Sequence, residues 1–347
     1  MLSGFTDTAI LAKVRAMYGQ RLTPEDYMEL LHKQTVGDAA SYLKNETHYR
    51  EVLAQVQEAQ IHRVRLEQLV QMEIYRQYQR LLCFHKSGNA FYDYILRDIE
   101  IKMLIQRIGL YYAGTEVSQE TVSSLPTYLE KRLAFNLIDL ARARNFEEML
   151  KVLARTEYEK VLRPLLPPPG GRPDLLACEH ALKTFYFDGL FRKIDQNYRG
   201  STRRDLYTIF STQLELLNVA AILRMKRFRQ YSPKDIQNQL LPARSRLSEK
   251  LWKEMIRAAT PEEAMGLLAR SPYAKYVDGT DYTYIEYTVS SIRYQLSRRF
   301  MVFATGAPTV VASFMVLSNL ERENITNIIE GIRYGVSPDE IEKILIR

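Results

Sequence analysis

Acids that recur at regular intervals are the first residues in this chain with the makings of chemistry. Glu100, Glu215 and Glu321 stand second in three similar stretches, "IEIKMLIQRI", "LELLNVAAILRM" and "LERENITNIIEGI". Paired carboxylates can share acid and base roles in a hydrolytic reaction. The same acid in every copy of a repeat points instead to one structural task performed three times, such as a helix-to-helix hydrogen bond. Asn218 and Asn324 follow three residues later on the same helix face, placed to join that network. Cys83 with His85, and Cys178 with His180, form C-x-H pairs. Helical residues two apart point about 200° away from each other, so neither pair converges on one metal ion. The sequence holds no G-x-x-x-x-G-K-S/T, no G-x-S-x-G, no H-E-x-x-H and no paired C-x-x-C. No residue is therefore nominated as catalytic, cofactor-binding or metal-ligating, and no cofactor or small-molecule substrate is expected.

The basic clusters "FRKIDQNYRGSTRRD" and "LRMKRFRQY" interleave cations with tyrosines. A solvated helix face is the default reading of such runs. The sharper one is a surface for an acidic protein or headgroup, with Arg199, Arg203 and Arg204 as candidate contacts. No nucleic-acid module matches, so nucleic acid is not expected as a partner.

Positioning any of these residues falls to helices. The 347 residues are 46% hydrophobic and 26% charged, a composition that excludes disorder and favours a buried helical core. The net charge of +7 is spread along the chain and suits acidic partners or headgroups without defining one. Two cysteines are too few for a disulfide framework and fit a reducing compartment. The start "MLSGFTDTAILAKVRAM" lacks the basic-then-apolar layout of a signal peptide. Residues 300–320 carry no charge, but Gly306 and Pro308 interrupt them, which predicts a buried helix after the break and no membrane span.

Repetition sets the architecture. Four helix starts, "LTPEDYMELL", "VSQETVSSL", "YSPKDIQNQLL" and "VSPDEIEKIL", begin with the capping hydroxyls of Thr23, Ser118, Ser232 and Ser337, separated by 95, 114 and 105 residues. "GDAASYLKNETHYREVL", "FEEMLKVLARTEYEKVL" and "PEEAMGLLARSPYAKYV" align on Leu43, Leu153 and Leu268, each with a tyrosine soon after. Glu67, Glu179 and Glu286 open three aromatic-rich helices. Motifs recurring in a fixed order predict an all-α protein of three similar repeats: residues 1–97, 98–212 and 213–319, with 320–347 a partial fourth that packs back on the first. Ile325, Ile328, Ile329 and Ile332 supply the buried stripe of that last piece. "LLPPPGGRP", from Leu165, then falls inside the second repeat, as a connection between two of its helices where "DGTDY" serves in the third.

The run "GAPTVVASFMVLSNLERENITNIIEGIRYGVSPDEIEKILI" from Gly306 resembles the C subunit of bacterial and archaeal A/V-type rotary ATPases, called d in the eukaryotic vacuolar enzyme. The family pattern falls on Gly306, Pro308, Val310, Val311, Glu321, Glu323, Asn324, Ile325, Arg333, Pro338, Glu340 and Ile341. Ala307 and Ser313 depart from it, where the family often has an acid and a tyrosine. The length and threefold repetition agree as well, so the resemblance covers the whole chain. It implies a non-catalytic adaptor, a funnel-like helical socket with pseudo-threefold symmetry. That socket would seat on the proteolipid rotor ring at the cytoplasmic face of a membrane, peripherally, and receive central stalk subunits D and F. It would transmit torque for proton or sodium transport. A helical-repeat scaffold of another complex, with RNA as one partner, is the alternative reading.

Overall fold

The computed structural model describes residues 2–82, 90–114, 132–227, 231–242, 245–277 and 285–347. Among these residues the chain is all-helical, with no strand. In order the helices are α1 (Leu2–Gly19), α2 (Pro24–Leu31), α3 (Val36–Glu46), α4 (Arg50–Leu53), α5 (Arg63–Leu82), α6 (Ala90–Ala113), α7 (Leu137–Arg142), α8 (Phe146–Val152), α9 (Glu157–Leu162) and α10 (Leu175–Asn197). They continue as α11 (Gly200–Arg227), α12 (Pro233–Gln239), α13 (Glu249–Arg257), α14 (Pro261–Leu267), α15 (Ala274–Val277), α16 (Ile285–Phe303), α17 (Ala307–Tyr334) and α18 (Pro338–Glu342).

Local chemistry explains why long helices alternate with runs of short ones. The short helices start on side-chain caps: Thr23, Thr35, Asn136, Asn145, Thr156, Ser232, Ser248, Thr260 and Ser337 each accept the amide of the residue three positions on. Thr23, Thr35 and Ser232 form full capping boxes with Asp26, Asp38 and Asp235. The long α17 stops at Gly335, whose φ of 67° places it in the left-handed region. There the Gly335 amide reaches the Ile332 carbonyl and the Val336 amide reaches that of Gly331, the paired bonds of a Schellman terminus.

By its contacts the chain divides into two units, one of residues 1–85 with 200–347 and one of residues 86–199. The expected boundaries at 97/98, 212/213 and 319/320 fall inside α6, α11 and α17 respectively, each a continuous helix. In the 86–199 unit, α6 lies along α10. Tyr94 donates to the Tyr186 carbonyl at 2.8 Å, and Gly189 leaves room for its ring: a Cβ there would stand 1.9 Å from the phenol oxygen. The connection that contains "LLPPPGGRP" joins α9 to α10 through a 3-10 turn at Arg163–Leu165 and a tight turn in which Gly171 donates to Pro168, with Gly170 at φ 76°. Its expected counterpart "DGTDY" lies outside the described residues.

The other unit has two cores. One gathers Leu216, Val219 and Leu223 of α11 with Met255, Leu268, Tyr273 and Ile292. The second gathers Ile325, Ile328 and Ile329 of α17, with Ile341 and Leu345, around Leu30, Leu43, Tyr49, Leu53 and Leu66 from the start of the chain. Ile332 packs at its edge. α18 closes on α17 at Gly331, where a Cβ would meet Ile341 Cδ1 at 2.3 Å. The charge-free stretch 300–320 is split between the end of α16 and a buried α17, with Gly306 as N-cap and Pro308 in the first turn, where a missing amide costs nothing. Among the described residues one helix, α11, is long and apolar enough to cross a membrane, and most of its apolar window is buried in the protein.

Candidate functional site

Glu100 and Glu215 are buried and Glu321 is partly buried, and each holds the same two kinds of donor. Glu100, on α6, accepts the Tyr158 hydroxyl at 2.5 Å on one oxygen and the Ala134 amide at 2.5 Å on the other. Glu215, on α11, accepts the Tyr273 hydroxyl on one oxygen. Its other oxygen takes the Ser245 hydroxyl at 2.8 Å, the Arg246 amide and the Leu247 amide at 3.2 Å. Glu321, on α17, accepts the Tyr49 hydroxyl at 3.0 Å and the Leu22 amide at 2.8 Å, with His48 Nε2 at 3.3 Å. The three tyrosines are the largest fully buried side chains described. Both oxygens of every carboxylate are engaged by structural donors, an arrangement that fixes a loop and a tyrosine to a long helix.

Burial governs the ionisation of Glu100 and of the three tyrosines. Loss of water pushes the Glu100 carboxyl above its usual range, against the pull of the Tyr158 and Ala134 bonds. Burial first, and the neighbouring carboxylate second, raise the phenols of Tyr49, Tyr158 and Tyr273, so they stay protonated donors.

These contacts also register the sequence motifs. Glu100 and Glu215 reach tyrosines 58 residues downstream, whereas Glu321 reaches one 272 residues upstream. The amides that the glutamates hold, at Leu22, Ala134 and Leu247, precede the caps Thr23, Asn136 and Ser248. Thr23 therefore corresponds to Asn136 and Ser248 rather than to Ser232 and Ser337, and the outlying separation of 95 residues marks the misassigned member. The cause is physical: a hydroxyl followed by proline and an acid caps any short helix, whichever place it holds in a unit. Ser118 lies outside the described residues.

Asn218 and Asn324 form a second matched pair, but with other partners than the glutamates. Asn218 donates to the Leu241 carbonyl and accepts the Leu241 amide, both at 2.9 Å. Asn324 does the same with Ile346, at 2.6 and 2.9 Å. Each pins the extended exit of the short helix that follows its long helix. Sequence reasoning missed two further devices. Arg107 donates to the carbonyls of Ala141 and Ala143 behind α7, and Lys226 donates to those of Ile256 and Ala258 behind α13, at 2.8 and 2.5 Å. A cation on a long helix satisfies the exposed carbonyls at a short helix's end. The two cations stand at different distances from their glutamates, so alignment by motif does not pair them.

The candidate partner contacts are exposed. Arg199, the last residue of the 86–199 unit, donates to the carbonyls of Tyr198 and Asp195. Arg203 and Arg204 lie on the first turns of α11 in the other unit, Arg203 over the Tyr207 ring with 5.0 Å from carbon to centroid. Gly306 meets α11 closely, since a Cβ would stand 2.8 Å from Thr202 Oγ1. Cys178 is buried in α10, its thiol pushed up to about 11 by burial. Cys83 and His85 lie outside the described residues. Among the described residues no three His, Cys, Asp or Glu side chains gather as a metal site would require.

Comparison with known proteins identifies a family. The family model described as "ATP synthase (C/AC39) subunit" matches residues 10–344. The C subunit of the A-type ATP synthase of Pyrococcus furiosus is 21% identical over 342 residues, covering 96% of this chain and 88% of that protein. The Pyrococcus abyssi protein of the same name is 22% identical with the same coverage. That of Methanosphaera stadtmanae is 24% identical over 217 residues, 62% of this chain and 53% of its own.

Proposed function

The chain belongs to the ATP synthase (C/AC39) subunit family, and we propose that it is the non-catalytic adaptor of such a complex. In this reading it links the membrane rotor ring of proteolipids to the central stalk, subunits D and F, and carries torque between them. It does so from the cytoplasmic face of the membrane, as a peripheral protein. The observation that carries the reading is the repeated junction of a glutamate, buried or partly buried, with a buried tyrosine and a loop amide. A torque-bearing part needs stiff connections more than it needs a reactive group, and these bonds lock loops onto helices of 24 to 28 residues. At 1.5 Å per residue those helices run to about 40 Å.

The same contacts support a division into three similar units, each starting at a long helix and ending at an aromatic one. Residues 90–199 and 200–303 form two of them, and 306–347 join 2–82 as the third. We propose that these surround a pseudo-threefold axis as a funnel-like socket. Arg199, Arg203 and Arg204 are proposed contacts to an acidic partner.

The experiment is recovery of the tagged chain from gently solubilised membranes. Co-purification of a proteolipid, stalk subunits and nucleotide-binding subunits in fixed proportion is expected. Recovery as a free protein, or with RNA and an unrelated assembly, would overturn the reading.

A further inference from the structure

The register of the aromatic-rich helices aligns Glu73 of α5 with Phe185 of α10 and Ile292 of α16, each six residues after its glutamate. Phe185 turns its ring edge-on to Tyr158 at 5.7 Å, and Ile292 shares a core with Tyr273. At the corresponding place beside Tyr49 stands a carboxylate, and its charge acts on the Tyr49 phenol. Glu73 is buried, at 1% exposure, like Ile292 and more fully than Phe185, and its Oε2 has no hydrogen-bond partner. Arg80 approaches Oε1 only to 3.8 Å, because Arg80 and Arg76 are both spent on Glu51. The neighbouring Gln77 Oε1 and His48 Nδ1 are likewise buried without partners. A cavity of about 400 Å³ lined by Met17, Gln20, His48, Glu51, Glu73 and Gln77 gives solvent a path to the group.

A buried carboxylate with one oxygen unpaired and its nearest cation 3.8 Å away and shared with Glu51 is costly while ionised, and a proton removes most of that cost. We propose that Glu73 is a proton-binding site that makes the closure of the chain's two ends pH-responsive, tight when the carboxyl is protonated and looser when it is ionised. The groups facing it are Arg76 and Arg80 on its own helix, Arg50 and Glu51 on α4, and Glu46, His48 and Tyr49 on the preceding turn. Glu321 faces it from α17 through Tyr49 and His48, and Met17 of α1 and Gln20 just after it do not titrate. Burial is the main cause that pushes the Glu73 carboxyl up to about 7, with the two arginines opposing it. The folded chain then holds a proton that the unfolded chain has already lost. The contribution of Glu73 to stability is highest below the ordinary carboxylate range, falls as pH climbs to about 7, and levels off above it.

The test is thermal unfolding of the full chain between pH 5.5 and 8.5, with hydrogen exchange of α5 corrected for intrinsic rate. The wild type is expected to lose about 5 °C more than Glu73→Gln across that range, a shift of the size that about one and a half pH units on one group produce in a unit this large. Its α5 amides should lose protection at pH 8.5, and Glu73→Leu, which restores the side-chain class found in the other two helices, should follow the Glu73→Gln profile across the range. Parallel profiles for wild type and Glu73→Gln would overturn the proposal. So would a slope that survives in Glu73→Gln and vanishes in His48→Gln. Glu73 is expected to titrate in this way whether or not the chain serves as an adaptor.

Discussion

The junction at Glu215 and the junction at Glu321 make the same bonds from opposite situations. Glu215 holds a tyrosine and a loop that follow it within one continuous stretch, and extra donors from Ser245, Arg246 and Leu247 crowd its carboxylate. Glu321 holds Tyr49 and Leu22, which the chain delivers from its other end. A loop of 272 residues costs more entropy to close than one of 58, but only as the logarithm of length, about 1.4 kcal/mol more. A helical unit can thus be cut at its connection and its pieces placed at the two termini, provided the cross-chain contacts are as good as the local ones. What distinguishes the terminal unit is the company its junction keeps. His48 and Glu73 take the places held elsewhere by Glu157 or Pro272 and by Phe185 or Ile292.

Removing the carboxylates should separate the two junctions most. Glu215→Leu strips the acceptor from one hydroxyl pair and two amides in a fully buried site and should cost about 4 kcal/mol of stability, read by urea unfolding. Glu321→Leu should cost about 3 kcal/mol, because its junction has fewer donors and borders a cavity of about 410 Å³. Equal and negligible losses would show that neither junction holds its unit together. Asn218→Ala and Asn324→Ala each leave a buried amide and carbonyl unpaired and should cost about 2 kcal/mol. They separate by location: only Asn324→Ala should expose residues 336–347 to limited proteolysis, since the Ile346 backbone is what it releases. The mildest perturbation is Gly331→Ala. Its new methyl displaces the flexible end of Ile341 and should cost about 1 kcal/mol, with loss of amide protection confined to α18.

Much of this was legible in the residues because helical repetition writes itself in spacing. The glutamates of the three long helices each take a tyrosine hydroxyl, Leu43, Leu153 and Leu268 are buried, and the isoleucine stripe of α17 packs with the start of the chain. What spacing does not carry is which partner a polar group chooses. Asn218 and Asn324 lie one turn from the glutamates yet reach past them to the exits of α12 and α18, a choice set by where those loops arrive. The phase of the motifs was similarly hidden: Thr23 and Ser232 share a capping sequence, and only the amides that Glu321 and Glu215 hold show that they occupy different places. Gly189 reads as an unfavourable helix residue until the Tyr94 ring is seen against it. Glu73 reads as one more surface acid in a helix rich in Arg and Gln, because a single sequence gives no sign that its face turns inward.

One junction serves three times, and its last copy ties the chain's ends together. Double-mutant cycles on Tyr49 with Glu321 and on Tyr273 with Glu215, using Tyr→Phe and Glu→Gln, separate the tyrosine–glutamate coupling from the other bonds these residues make to His48 and Arg246. Coupling energies of about 1 to 2 kcal/mol are expected in both cycles, equal within about 0.5 kcal/mol. Coupling at Tyr273 and Glu215 with none at Tyr49 and Glu321 would mean that the ends are held by something other than this junction.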